Sequence, residues 1–277
     1  GIWGTTMVME AATGDLLAMV NLSRNKQGKY VENYNHALKS RAEPGSTFKL
    51  AVLLALLEEA KLPLSTEYDS GSGKRVIITE NAPKTKVADS HNVGAMIDMR
   101  KAIAESANVY FAKAVYETYN KEPERYVEFL RSLHLDRKVM TTLPGMDEIS
   151  PRFPYPGSKM WYRHTTLIKL GYGYGIEVTP IQILTLYNAV ANGGKMVAPR
   201  LVILPRMEML SRRFLWRCWW TKFALTRLLP WCVSVWRGSP RRVRPKITSV
   251  RGRSRSEPLP RPERPNSHRE ASRMRMV

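Results

Sequence analysis

The last quarter of this chain is a different kind of sequence from the rest, and that break limits where a folded core can lie. Residues 206–277 hold 19 Lys+Arg, 17 of them Arg, against 4 Asp+Glu, and they contain neither Asp nor Tyr. Both cysteines, Cys218 and Cys232, and five of the seven tryptophans fall there as well. The preceding 205 residues hold 25 Lys+Arg against 20 Asp+Glu. The formal charge of +20 on the 277-residue chain therefore describes a C-terminal segment, and residues 1–205 read as an ordinary, cysteine-free domain. Prolines at 230, 240, 245, 258, 260, 262 and 265 exclude long helices from the tail, because each removes a backbone donor and clashes with the turn before it.

At 43% hydrophobic and 9% aromatic the chain has the composition of a globular protein rather than a disordered one. Its length suffices for a sizeable core. No run of about 18 uncharged apolar residues occurs, so no membrane span is expected within it. A chain opening at Gly1 with strand-like residues is expected to leave any signal or anchor outside itself.

Along the body, Thr5 to Val20 reads as two short strands around the turn triplet Thr13-Gly14-Asp15. Arg24 to Tyr34 is polar and loop-like. Glu43-Pro44-Gly45-Ser46 is a chain break that opens an apolar, Leu- and Ala-rich helix from Thr47 to Ala60. Ser65 to Asp89 reads as loops and short strands, Met99 to Thr118 as one helical stretch and Glu122 to Leu133 as another. Pro144 to Trp161 is rich in Pro and Gly and reads as irregular. Pro180 to Asn192 is a helix stopped by Gly193-Gly194. There are no repeats.

Ser46 and Lys49 stand at i, i+3, which stacks their side chains on one face of a helix within hydrogen-bond reach. Acyl transfer by serine needs a base, because a hydroxyl at its own pKa is a poor nucleophile. A lysine serves if burial keeps it neutral, and backbone N–H groups at the helix start can face a developing oxyanion. The bare pattern is weak: Ser-x-x-Lys arises by chance about once in a chain of this length, and Ser23-Arg24-Asn25-Lys26 is a second copy in a polar stretch. On spacing alone Ser46 reads as a plain N-cap followed by a solvated lysine. A second element, Ser106-Ala107-Asn108, would supply a proton relay (Ser106) and a hold on the substrate amide (Asn108). It too has a copy, Ser90-His91-Asn92, and alone it reads as polar residues flanking a helix.

The segment Glu43-Pro44-Gly45-Ser46-Thr47-Phe48-Lys49 resembles the nucleophile motif of class B penicillin-binding proteins, the monofunctional D,D-transpeptidases of peptidoglycan synthesis. Further stretches agree in order: Thr13 to Val20, Ala104 to Phe111, Gly171-Tyr172-Gly173-Tyr174-Gly175 running to Gln182, and Asn192-Gly193-Gly194-Lys195 with Pro199. The resemblance spans about residues 5–203. The region from Gly171 to Lys195 is most similar to septal, cell-division members from Bacteroides-like bacteria. It implies an α/β penicillin-binding transpeptidase/serine β-lactamase-like fold: an antiparallel sheet with helices on both faces, plus an α-helical subdomain carrying Ser106 and Asn108. It implies catalytic Ser46, Lys49, Ser106 and Asn108, with no cofactor and no metal. Implied partners are a stem peptide ending in D-Ala-D-Ala, beta-lactams, and division or elongation machinery, with no nucleic acid. The implied location is the cell envelope, at the periplasmic face of the inner membrane, with an anchor upstream of this chain.

The resemblance also implies a third motif, Lys-Thr/Ser-Gly, on a strand beyond the body, and residues 195–277 contain none. The C-terminal strands of the fold are accordingly expected to be missing, and the protein to be impaired. Out-of-frame reading of a GC-rich gene yields Arg-, Trp- and Pro-rich sequence without Asp, so residues 206–277 are expected to be frameshifted and disordered. Pro262-Glu263-Arg264-Pro265 can be encoded as CCG GAA AGA CCG, a choice of codons that reads Gly-Lys-Thr from its third base. Two rival readings stand beside this one. The tail could bind nucleic acid or an anionic membrane, with Arg on phosphates and Trp stacking or inserting. The Ser/Lys chemistry could belong to a serine β-lactamase or beta-lactam sensor. The glycine-rich run at 171–175 lacks the strand-then-helix setting of a phosphate loop.

Overall fold

The computed structural model describes residues 2–73, 76–77, 85–139, 147–201 and 218–222. An antiparallel hairpin opens the chain, β1 (Trp3–Met9) with β2 (Leu16–Arg24), and β3 (Tyr30–Val31) extends it on the far side of β2. After α1 (His36–Lys39), a 3₁₀ turn (Gly45–Phe48) runs into α2 (Lys49–Leu54), which widens into a π-turn over Ala55–Glu59. Two small antiparallel pairs follow: β4 (Glu67–Asp69) with a later strand, and β5 (Val76–Ile77) with β6 (Lys86–Val87). The partner of β4 is β7 (Met96–Asp98), which leads directly into α3 (Met99–Ala104). Then come α4 (Asn108–Tyr119), α5 (Pro123–Ser132), α6 (Arg163–Leu170) and α7 (Pro180–Ala191). The last pair is β8 (Lys195–Val197) with β9 (Cys218–Lys222). All of these lie in one compact unit, Gly1–Ser239.

The Leu/Ala run at the start of the nucleophile helix goes to the centre of the molecule. Every residue from Ala51 to Leu57 is buried, so this helix is apolar around its whole circumference and must be wrapped by others. Phe111, Ala114 and Tyr119 of α4, Tyr126 and Leu130 of α5, Leu167 and Leu170 of α6, and Leu186 of α7 share its cluster. The expected single helix from Thr47 to Ala60 is thus three geometries in succession. Its last turn is widened where the Ala55 carbonyl takes both the Ala60 N–H at 3.0 Å and the hydroxyl of buried Tyr119 at 3.1 Å. A side-chain donor on the carbonyl ladder is an ordinary cause of such a local widening.

The stretch read as one helix from Met99 to Thr118 is two helices. It breaks at Glu105-Ser106-Ala107, where Ser106 takes φ +56. A non-glycine residue in the left-handed region costs energy and persists only where its surroundings over-determine it, and here the break turns Ser106 and Asn108 toward α2. Helix α6 and strand β8 were not anticipated from sequence, and neither was the short α1.

In the three-stranded sheet, Met7 pairs with Met19, Thr5 with Asn21 and Trp3 with Ser23, and this inner face packs on α1 and α7. Leu16, Ala37, Leu38, Val139 and Ile181 form the buried seam. The outer face carries Val8 and Val20 at 49% and 45% exposure, with Leu22 at 40%. The expectation of helices on both faces is therefore met on one face only among the described residues. The expected absence of family-type strands in the tail meets one exception: Cys218–Lys222 pairs antiparallel with β8, Val197 opposite Cys218 and Lys195 opposite Lys222. Its sequence, Cys-Trp-Trp-Thr-Lys, is rich in strand-favouring aromatic and β-branched residues. The rest of residues 206–277, with the frameshift, disorder and nucleic-acid or membrane-binding readings placed on it, lies outside the described residues.

Candidate active site

Ser46 sits at the second position of the 3₁₀ turn, and Lys49 is the first residue of α2, its N–H bonded to the Ser46 carbonyl. The turn is entered from Pro44 in the αR region, whose fixed φ suits it to a helix entry. Ser46 is therefore not an N-cap. Nor is Lys49 solvated, since only 1% of it is exposed. Its Nζ lies 3.1 Å from Ser46 Oγ, 3.0 Å from Ser106 Oγ, 2.5 Å from the Ser106 carbonyl and 2.6 Å from Asn108 Oδ1. Phe111 provides an aromatic wall, its ring centre 6.0 Å away. All four residues singled out in the sequence thus meet at one nitrogen, while Ser46 and Ser106 keep exposed positions.

The hydrogen-bond inventory says what this cluster can do. An ammonium has three N–H donors and no lone pair, so four acceptors compete for three protons. A neutral amine has two donors, which suit the two short acceptors, the Ser106 carbonyl and Asn108 Oδ1. Its lone pair is then open to a hydroxyl proton from Ser46 or Ser106. Burial pushes Lys49 down to about 8, against the opposing pull of the Asp89 carboxylate. The amine form is therefore accessible near neutrality, as a general base requires.

The elements around the cluster hold it from two sides. Asp89 Oδ1 accepts the backbone N–H groups of Asn108 and Val109, the latter at 3.1 Å, and Asn108 Nδ2 donates to the Ala88 carbonyl at 3.2 Å. On the other side, Gly45 N–H donates to the Gly173 carbonyl at 2.9 Å, and Gly175 N–H donates to Glu43 Oε1 at 2.9 Å. Ala42 and Val178 exchange two backbone bonds of 3.1 Å, and the Tyr187 hydroxyl donates to the Thr47 carbonyl at 3.0 Å. The glycine-rich run is a backbone buttress for the turn that presents Ser46.

The two look-alike motifs go elsewhere. Ser23 lies in β2, its Oγ 2.7 Å from His36 Nε2. Ser90 and His91 are surface residues, with His91 Nε2 3.1 Å from Glu105 Oε2. Asp89 and Tyr187 were missed from sequence, because neither carries a local pattern: each reaches the site through a tertiary contact. Among the described residues no group of three His, Cys, Asp or Glu side chains is placed to hold a metal ion.

Comparison with known proteins covers the stretch of chain that contains these segments. Residues 4–206 match the family profile of the penicillin binding protein transpeptidase domain. A peptidoglycan D,D-transpeptidase FtsI homolog from Chlorokybus atmophyticus is 29% identical over 215 residues, covering 72% of this chain and 30% of that protein. The penicillin-binding protein PbpB of Mycobacterium tuberculosis is 27% identical, covering 72% of this chain and 28% of its own length. This chain therefore spans about a third or less of these curated relatives. Among solved structures, penicillin-binding protein 3 of Mycobacterium tuberculosis complexed with aztreonam superposes with a TM-score of 0.58 at 25% identity, over 72% of this chain and 43% of that one. The apo transpeptidase domain of penicillin-binding protein 3 from Burkholderia pseudomallei gives 0.59 at 20% identity, over 74% and 55%, a likeness of fold. With the match running from the first strand through the Ser46 turn, the Ser106 break and the glycine-rich buttress to the end of the body, the chain belongs to the penicillin-binding protein transpeptidase domain family.

Proposed function

We propose that this chain carries the acylation machinery of a peptidoglycan D,D-transpeptidase, with Ser46 as nucleophile, Lys49 as its base, Ser106 as proton relay and Asn108 as the hold on the substrate amide. One observation carries the reading: a buried lysine nitrogen touches two serine hydroxyls and an asparagine carbonyl at the same point. Ser46 Oγ attacks the carbonyl carbon of the penultimate residue of a stem peptide ending in D-Ala-D-Ala. As the O–C bond forms, the hydroxyl proton passes to neutral Lys49. Lys49 hands that proton on to Ser106 as Ser106 gives its own to the leaving amine, the C–N bond breaks and free D-Ala departs. Asn108 has a second Nδ2 proton beyond the one given to Ala88, free to hold the substrate carbonyl. An amine from a neighbouring stem peptide then takes the acyl group and forms the cross-link. In a beta-lactam the bond broken is in the ring, so the leaving nitrogen stays tethered and the ester accumulates.

The same reading sets the protein at the cell envelope and among the division or elongation proteins. It also carries a deficit. Residues 195–277 hold no Lys-Thr/Ser-Gly, so they do not themselves supply the cation and hydroxyl that would meet the substrate carboxylate. A charge-assisted hydrogen bond is worth about 1.5–3 kcal/mol, which makes acylation roughly 10–100-fold weaker than with the motif present. An out-of-frame origin of residues 206–277 accounts for that loss, and translating the gene in all three frames tests it.

The functional test is a fluorescent penicillin added to the full chain. Covalent label that vanishes in Ser46→Ala and Lys49→Met supports the proposal. An unlabelled wild-type protein that is folded by circular dichroism overturns it, and label shed within seconds makes the protein a β-lactamase instead.

A further inference from the structure

The roles above leave Asp89 unused, and it has an unusual set of partners. One carboxylate oxygen, Oδ1, accepts the first two backbone N–H groups of α4, from Asn108 and Val109. The other, Oδ2, is buried and has no hydrogen-bond partner among the described residues. Asp89 also forms none of the ion pairs among those residues. A buried carboxylate oxygen without a partner is costly, so its charge is balanced by what lies nearby rather than by a salt bridge. What lies nearby is the positive end of a 12-residue helix and the Lys49 ammonium, on which Asp89 acts electrostatically.

Geometry gives the same residue a second task. Ala88 and Asp89 take hold of Asn108 by both ends: its backbone N–H goes to Asp89 and its side-chain Nδ2 to the Ala88 carbonyl. With Nδ2 committed, the amide must turn Oδ1 toward Lys49, where it is found at 2.6 Å. The residue at the start of α4, Ala107, has no side chain that could cap it. Asp89 supplies that cap from 19 residues upstream.

We propose that Asp89 is a positioning residue of the acylation site, which fixes the start of α4 so that Ser106 and Asn108 face Lys49 and places a negative charge beside the lysine. The proposal rests on the reading of Ser46 and Lys49 as nucleophile and base. Around Lys49, its own turn contributes neutral Ser46, the break after α3 contributes Ser106, and α4 contributes Asn108 and Phe111. His91 and Glu105 are turned to each other at the surface. Among the described residues Asp89 is thus the charged group that acts on this amine, and the sign of its effect is fixed: it favours the ammonium. Removing the charge releases the proton at lower pH.

The test uses the full chain, with the rate of labelling by a fluorescent penicillin measured from pH 5.5 to 9.5. In Asp89→Asn an oxygen remains to cap Asn108 and Val109, and the charge is gone. The rising limb of the rate is expected to move to lower pH by about one unit. Asp89→Ala removes the cap as well, and its plateau rate is expected to fall about tenfold. If Asp89→Ala does not fold, Asp89→Asn decides the matter alone. A limb that stays where the wild type has it, in folded Asp89→Asn protein, overturns the proposal while leaving the Ser46 and Lys49 roles intact. An unlabelled wild type overturns those roles, and this inference with them.

Discussion

Gly45 donates its backbone N–H to the carbonyl of Gly173 at 2.9 Å, and a Cβ built on Gly173 would overlap the Gly45 carbonyl, with φ at +88. The turn carrying Ser46 and the glycine-rich loop therefore meet backbone to backbone, with no room for a side chain between them. Gly173→Ala must push the two apart. The expected loss is more than the roughly 1–2 kcal/mol that the left-handed conformation alone costs a non-glycine residue, together with most of the acylation. Gly157 is the control, because its φ is +82 and nothing lies within 4 Å of its added Cβ. Gly157→Ala is expected to lose about 1–2 kcal/mol of stability and keep its acylation rate. Thermal melts and penicillin labelling of both variants check this, and equal labelling by the two would show that the buttress is irrelevant to the nucleophile.

The Lys49 amine sets a pH dependence with a definite direction. Burial pushes the group down to about 8, and only the neutral form can take the Ser46 proton. Labelling should rise about tenfold per pH unit well below 8 and level off above it. A rate flat from pH 6 to 9 would exclude Lys49 as the base.

Tyr119 offers a change that should be felt in stability alone. Its buried hydroxyl donates to the Ala55 carbonyl at 3.1 Å, and that carbonyl keeps the Ala60 N–H when the hydroxyl is removed. Tyr119→Phe leaves that carbonyl paired but takes the phenol away from the Glu59 carboxylate beside it, so the expected cost is about 1–3 kcal/mol with unchanged labelling. A chemical denaturation curve measures it, and a fall in labelling beyond that of the folded fraction would tie the π-turn to the site.

What could be read from the chain was local. Ser46 and Lys49 are three residues apart on one helical turn, so their meeting needs nothing beyond backbone geometry. The hairpin around Thr13-Gly14-Asp15 and the helix ended by Gly193-Gly194 were legible for the same reason. The break at Ser106 was not, because helix propensity favours running on from Met99, while Ser106 is held by Lys49 and the neighbouring Asn108 and Val109 by Asp89, both from other parts of the chain. Asp89 itself has no pattern around it. Helix α6 was hidden by its start, Arg-His-Thr-Thr, where β-branched residues weaken the helical signal. The pairing of Cys218–Lys222 with β8 depends on a partner strand of three residues, too short to announce itself.

His134 gives the fold a sensitivity to acid that is separable from the site. It takes φ +57 just beyond α5, and burial, reinforced by Arg137 and opposed by Asp136, pushes its imidazole from 6.5 down to about 4. Above pH 6.5 the ring is neutral in both folded and unfolded chains and contributes no slope. Between 6.5 and 4 the unfolded chain binds a proton that the folded one refuses, so stability falls as pH falls, and below 4 this contribution is flat again. Buried His36 is lowered for the same reason and adds to the slope in the same direction, whereas Asp136, held below 3.8, acts only beneath this window. Asn tolerates the left-handed region better than other residues with a side chain, so His134→Asn removes the titration with little backbone strain. Its melting temperature is expected to drop by about 2–4 °C less than that of the wild type between pH 6.5 and 4, the effect of roughly 1 kcal/mol in a domain of this size. Parallel slopes for the two proteins would mean that His134 is protonated in the folded state at its ordinary pH.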